Sequence, residues 1–140
     1  MRRGAMMVLA AAGLSAGATA AMAQEAGFSL SLIGSEPKDG KCAYVLDAKN
    51  KLGVDLDEFK VQVYGLSATN TSVGLWTLPF SNLKDKKRQI KSFVLPMTCD
   101  KIVRFYFAGF TECKGAKDYL DACGKSVTLS STIEVGFSDE

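Results

Sequence analysis

The sequence predicts an all-β domain, a seven-stranded antiparallel β-sandwich of immunoglobulin-like form, with a small β-barrel as the alternative. Three observations lead there. Short segments alternating apolar and polar residues recur at roughly ten-residue spacing, separated by turn residues. No long amphipathic helix interrupts them. Four cysteines stand in a chain that opens with an export signal, the setting in which small domains are stapled by disulfides.

The signal has its three parts in order. Arg2 and Arg3 form a positive n-region, residues 6–14 are an apolar run, and Ala21-Met22-Ala23 is a small-x-small cleavage site. The run falls short of the roughly 20 residues that span a bilayer, and it lacks the polar face of a core helix. Residues 1–23 are therefore expected to be removed between Ala23 and Gln24, leaving 24–140 as a single disulfide-stabilised β domain. Gly4 follows the twin arginine where an apolar pair is usual, which favours the general secretory route. Gln24 in place of a cysteine argues against a lipid anchor, and no other stretch reaches transmembrane length. The expected location is the periplasm or the exterior.

Each strand follows from its pattern. Phe28, Leu30 and Leu32 alternate with serines, and residues 34–41, with Pro37 and Asp39-Gly40, end this first strand as a turn. Residues 42–48 form the second, closed by Lys49-Asn50-Lys51-Leu52-Gly53. Phe59, Val61 and Val63 alternate with Lys60, Gln62 and Tyr64 in the third. After a polar loop, residues 74–80 are the fourth, and Pro79 marks it as an edge. Residues 88–95 are the fifth, stopped by Pro96, and 102–107 the sixth, apolar on both faces as a central strand is. Residues 114–122 fit a helical turn or two. Residues 127–137 alternate so regularly that they read as one seventh strand.

Such strands running alternately up and down also order the cysteines. Cys42 opens the second strand and Cys99 precedes the sixth, at one end. Cys113 follows the sixth and Cys123 precedes the seventh, at the other. The expected bridges are Cys42–Cys99 and Cys113–Cys123. The spacing holds no C-x-x-C pair, which argues against a zinc or redox role.

Charge narrows the partners. Of seventeen basic residues, Arg2 and Arg3 leave with the signal, so the remaining fifteen balance fifteen acids. A neutral domain has no general pull toward nucleic acid or anionic membrane. Histidine is absent, which removes Ser-His and Cys-His catalysis and His-ligated metals. Asp55, Asp57, Glu58, Asp118 and Asp121 are carboxylates at loop ends, where turn formation is their usual role. No cofactor, metal site or catalytic residue is expected.

Two features offer contact instead. Lys84-Asp85-Lys86-Lys87-Arg88 is a basic tip, able to grip phosphate or an acidic partner, or simply a solvated hairpin loop guarding a sheet edge. Trp76 is either an exposed contact or, more in keeping with a lone tryptophan, part of the core.

The order Cys42-Ala43-Tyr44-Val45-Leu46, Asn50…Gly53, Gln62-Val63-Tyr64, Leu78-Pro79-Phe80, Arg88-Gln89, Phe93-Val94-Leu95-Pro96…Cys99, Cys113-Lys114-Gly115, Cys123 and Leu129-Ser130-Ser131 resembles a family of small exported alphaproteobacterial proteins of unknown function. The likeness covers nearly all of the mature chain, chiefly as a four-cysteine framework. It departs at Ala108-Gly109-Phe110, where the family carries Asn-Gly. The resemblance implies a periplasmic setting and supplies no catalytic residues. The function expected is a non-catalytic binding or accessory module contacting another envelope protein. The alternatives are a small-ligand carrier with an apolar cavity, for which Phe59, Phe93, Phe105, Phe107 and Phe137 are inward candidates, and a carboxylate- or metal-dependent enzyme.

Overall fold

A computed structural model describes residues 27–139, so the signal segment and its cleavage point lie outside the described residues. The described residues form eight strands, β1 (Gly27–Lys38), β2 (Lys41–Lys51), β3 (Leu56–Leu66), β4 (Ser72–Leu83), β5 (Arg88–Leu95), β6 (Arg104–Gly115), β7 (Val127–Ser131) and β8 (Gly136–Ser138). A short 3-10 turn (Cys99–Lys101) precedes β6, and helix α1 (Leu120–Lys125) follows it. The strands make two four-stranded sheets, ordered β5-β2-β1-β7 and β4-β3-β6-β8. They pack face to face as a sandwich, and among the described residues no closed barrel forms. Within them β5-β2-β1 faces β4-β3-β6, the order of strands E-B-A facing C′-C-F in immunoglobulin domains.

Strand number and direction depart from seven antiparallel strands at the C-terminus. The alternating stretch expected as one strand is two. β7 pairs parallel to β1, and β8 pairs parallel to β6 in the opposite sheet. Between them the Ser131 hydroxyl donates to the Val135 carbonyl at 2.5 Å and accepts from the Ile133 amide at 3.3 Å. These bonds hold a bend that carries the chain from one sheet to the other. Period-two alternation cannot reveal such a crossing, because both halves keep the same apolar beat.

Bulges explain the other boundary differences. The first strand does not end at Gly34. Ile33 is an extra residue opposite β2, and pairing resumes through Pro37↔Cys42 to Lys38↔Lys41. The turn is then only Asp39-Gly40, with φ of 51° and 75°, the two-residue type favoured in hairpins. β6 runs on past Phe107 because register shifts on either side of Val61 keep its inward residues as Phe105, Phe107, Phe110 and Cys113. That spacing of two, three and three hides the strand from a period-two search. Lys114 and Gly115 accordingly finish β6, and the helix begins only at Leu120, whose amide donates to Asp118 Oδ1 at 2.9 Å.

The space between the sheets is filled by aromatic and aliphatic side chains. Phe28 of one sheet meets Phe59 and Phe110 of the other at 4.9 and 5.0 Å between ring centres. Phe59 stacks on Phe80 at 4.7 Å. Nearer the other end Tyr44 meets Phe105 edge-on at 4.8 Å. Disulfides close both ends, Cys42–Cys99 at one and Cys113–Cys123 at the other, as the strand directions require.

Asn50 is the one fully buried polar side chain among the described residues. Its amide donates to the carbonyls of Val54 and Leu83 at 2.9 and 3.0 Å, and its Oδ1 accepts from the Leu52 amide at 2.9 Å. It thereby joins the end of β2 to the end of β4 across the sandwich. Asn50→Ala orphans two carbonyls and an amide, and should cost about 3 kcal/mol in urea unfolding. The Tyr44 hydroxyl is the opposite case, buried and without a hydrogen-bond partner. Tyr44→Phe should leave stability unchanged or raise it by up to about 1 kcal/mol in the same measurement.

Candidate interaction surface

The outward residues of the β4-β3-β6-β8 sheet divide into two halves. Cross-strand pairing sets Leu75, Tyr64 and Tyr106 in one row, with Ser72, Leu66 and Arg104 in the next. The rings of Tyr64 and Tyr106 lie 6.3 Å apart. Tyr64 is 36% and Leu75 46% exposed, so the apolar surface is presented to solvent rather than covered by a neighbouring element. Arg104 borders it and donates to Asn70 Oδ1 at 2.9 Å.

The other half of that face is charged and internally balanced. Glu112 sits between Lys60 at 2.9 Å and Lys114 at 3.1 Å, and Lys60 also approaches Glu58 at 3.7 Å. The hydrogen bond from Lys60 holds the Glu112 carboxyl below the usual carboxylate range, with Lys114 adding to it. The same bond holds the Lys60 ammonium above the usual lysine range. Two cations and two anions cancel, so this half carries little attraction for a charged partner.

The structure separates the residues that the sequence marks for contact. The basic tip joins β4 to β5 and so crosses between sheets rather than closing a hairpin. Its backbone is docked. The Gly53 amide donates to Asp85 Oδ1 and the Asp85 amide to Asp55 Oδ1, both at 2.9 Å. Lys84, Lys86 and Lys87 remain exposed there. Arg88 donates to both carboxylate oxygens of Asp47, at 3.2 and 2.7 Å. Trp76 lies eight residues back along the chain from Lys84, roughly 26 Å away in an extended strand. It is half-buried on the inner face, edge-on to Phe105 at 6.5 Å between ring centres. The indole covers Gly74 and Gly65, where a Cβ would fall 2.4 and 2.7 Å from its ring atoms. The two glycines make the room that lets Trp76 lie flat, which is the core role.

The carboxylates are spread rather than gathered. Asp55 and Asp118 accept backbone amides as turn formers, and Glu58 belongs to the Lys60 network. Among the described residues no three His, Cys, Asp or Glu side chains stand close enough to hold a metal ion. An interior void lined by Leu32, Tyr44, Leu46, Val63 and Phe105 measures about 10 Å³, room for about one water. The inward Phe59, Phe105 and Phe137 fill the interior with their own rings.

Sequence reasoning missed the Tyr64–Tyr106–Leu75 row. Tyr106 was legible only as part of an all-apolar central strand, and the register that sets it beside Tyr64 is not written in either segment. Among the described residues, no helix is long and apolar enough to cross a membrane. The described residues define a small, doubly disulfide-bonded β-sandwich with an apolar row on part of one sheet's outer face. No family model, curated protein or solved structure matches the chain.

The ion network sets a pH signature. Glu112 is depressed in the fold, so its contribution is present above the ordinary carboxylate pKa and lost as pH falls through the folded value. Lys60 is raised, so its contribution is present below the ordinary lysine pKa and lost as pH rises through the folded one. Melting temperature followed against pH should show Glu112→Gln below the wild type through the neutral range. The two curves should converge in acid.

Proposed function

We propose that, after export to the periplasm, this chain serves as a non-catalytic binding or accessory module that contacts another envelope protein. The observation that carries the reading is the Tyr64–Tyr106–Leu75 row, an apolar patch on the outside of a sheet whose inside is already packed. Solvent-exposed aromatic and aliphatic neighbours of this kind mark contact surfaces, where tyrosine gives large area at small entropic cost. Two disulfides support an oxidising compartment, and so does the resemblance to small exported alphaproteobacterial proteins. The void of about 10 Å³ gives the carrier alternative little support, since ligand pockets start near about 300 Å³. The basic tip, through Lys84, Lys86 and Lys87, is a second contact region on the same reading, at the far end of the molecule.

The test is site-specific photocrosslinking in the native host. A photoreactive phenylalanine analogue replacing Tyr106 should give a discrete adduct with one envelope protein. The same analogue at Ser130, on the outside of the opposite sheet, should give none. Absence of any adduct at Tyr106, with the variant exported at wild-type level, overturns the proposal.

A further inference from the structure

We infer that the outer face of the β5-β2-β1-β7 sheet carries a binding site for a phosphate group, in a cavity walled by Lys51, Ser29, Ser126 and Thr128. This goes beyond the envelope-partner reading, lies on the opposite sheet from the tyrosine row, and stands without it. Strand pairing brings the residues together. Gly27 lies opposite Lys51, and Ser29 lies between Lys49 on β2 and Thr128 on β7. Phe28 and Leu30 are buried in the core, so by the period of two Ser29 faces outward. Lys49 and Lys51 do the same beside the buried Ala48 and Asn50.

Gly27 is what leaves room between them. It brings β1 against Ser126, the residue that caps the end of α1. A Cβ on Gly27 would fall 2.2 Å from the Ser126 carbonyl oxygen, which accepts the Phe28 amide at 2.9 Å. Glycine allows this approach, and it leaves no side chain standing between Lys51 and Ser126. The result is a cavity of about 210 Å³, lined by Gly27, Phe28, Ser29, Lys51, Ser126 and Thr128.

The donors around this cavity are unspent. Among the described residues, the hydroxyls of Ser29, Ser126 and Thr128 make no hydrogen bond, and Lys49 and Lys51 make no ion pair. No acid lines the cavity. Asp47, two residues before Lys49 on the same face, is already held by two nitrogens of Arg88. An ammonium and three hydroxyls are all able to donate, and they come from three segments of chain. A phosphate monoester offers three acceptor oxygens in a tetrahedral spread and nearly two negative charges, which suits donors arriving from separate walls. A carboxylate offers two oxygens in one plane and a single charge. Lys51 supplies the point charge, and Lys49 in the neighbouring row supplies a second. A lipid headgroup and a soluble ester present the same phosphate to such a site.

Titration of the isotope-labelled mature chain with inorganic phosphate, followed by amide chemical shifts at constant ionic strength, tests the inference. Saturable shifts should centre on Gly27, Ser29, Lys51 and Thr128. Lys51→Gln should weaken binding at least about tenfold, and Ser29→Ala at least about threefold. Amide shifts far from the cavity report whether each variant is folded, so either variant alone can carry the test. Lys41→Gln removes the same charge from the exposed start of β2 and should leave the affinity within about twofold of the wild type. Acetate should bind at least about tenfold more weakly than phosphate. Flotation with phosphatidylcholine vesicles that contain phosphatidic acid separates the two sources. Flotation that Lys51→Gln abolishes assigns the phosphate to a lipid, and phosphate binding without flotation assigns it to a soluble ester. Absence of saturable shifts with phosphate overturns the proposal. So does acetate binding as tightly as phosphate, or equal weakening by Lys51→Gln and Lys41→Gln.

Discussion

The contact of Phe28 with Phe59 and Phe110 is the constraint on which the architecture depends. Each sheet alone would present a row of apolar rings to water, and neither could stand unpartnered. Pressed together, the rings set the separation of the sheets and the face each strand must turn inward. Bulges in β1, β3 and β6 then follow as the adjustments that keep large residues facing this layer. The fold spends its irregularity on preserving the slab.

The ends of the sandwich are closed by different chemistry. At one end Cys42–Cys99 fastens the connection between β5 and β6 onto β2. At the other, Asn50 and the Asp85–Gly53 contact bind the loops that pass between sheets, and Cys113–Cys123 holds α1 against β6. Cross-linking of the unfolded chain and internal satisfaction of buried carbonyls are independent sources of stability. A domain of this size, with limited buried area, uses both.

The outside of the molecule divides by a similar logic. Where charges cluster, they are mostly spent on each other or on backbone amides, as in Lys60–Glu112–Lys114, Arg88–Asp47 and Asp55 with Asp85. Lys84, Lys86 and Lys87 stand exposed beside these networks, and so do apolar side chains, Tyr64 and Leu75 on the outer face of one sheet and Ile90 and Val94 on β5. The proposed contact through Tyr64, Tyr106 and Leu75 rests on shape and apolar area more than on charge.

By itself the sequence determined the β class, the cysteine pairing and the inward place of Phe28, Phe59 and Phe105. These depend on local alternation and on the direction of successive strands, both of which are properties of short segments. The tertiary structure decided the split of residues 127–137 between two sheets, the continuation of β6 beyond Phe107, and the meeting of Tyr64, Tyr106 and Leu75 on one face. Each of these turns on register, bulge position or a crossing between sheets. Such choices are settled by what lies opposite a residue, and a segment read alone contains no record of its neighbour.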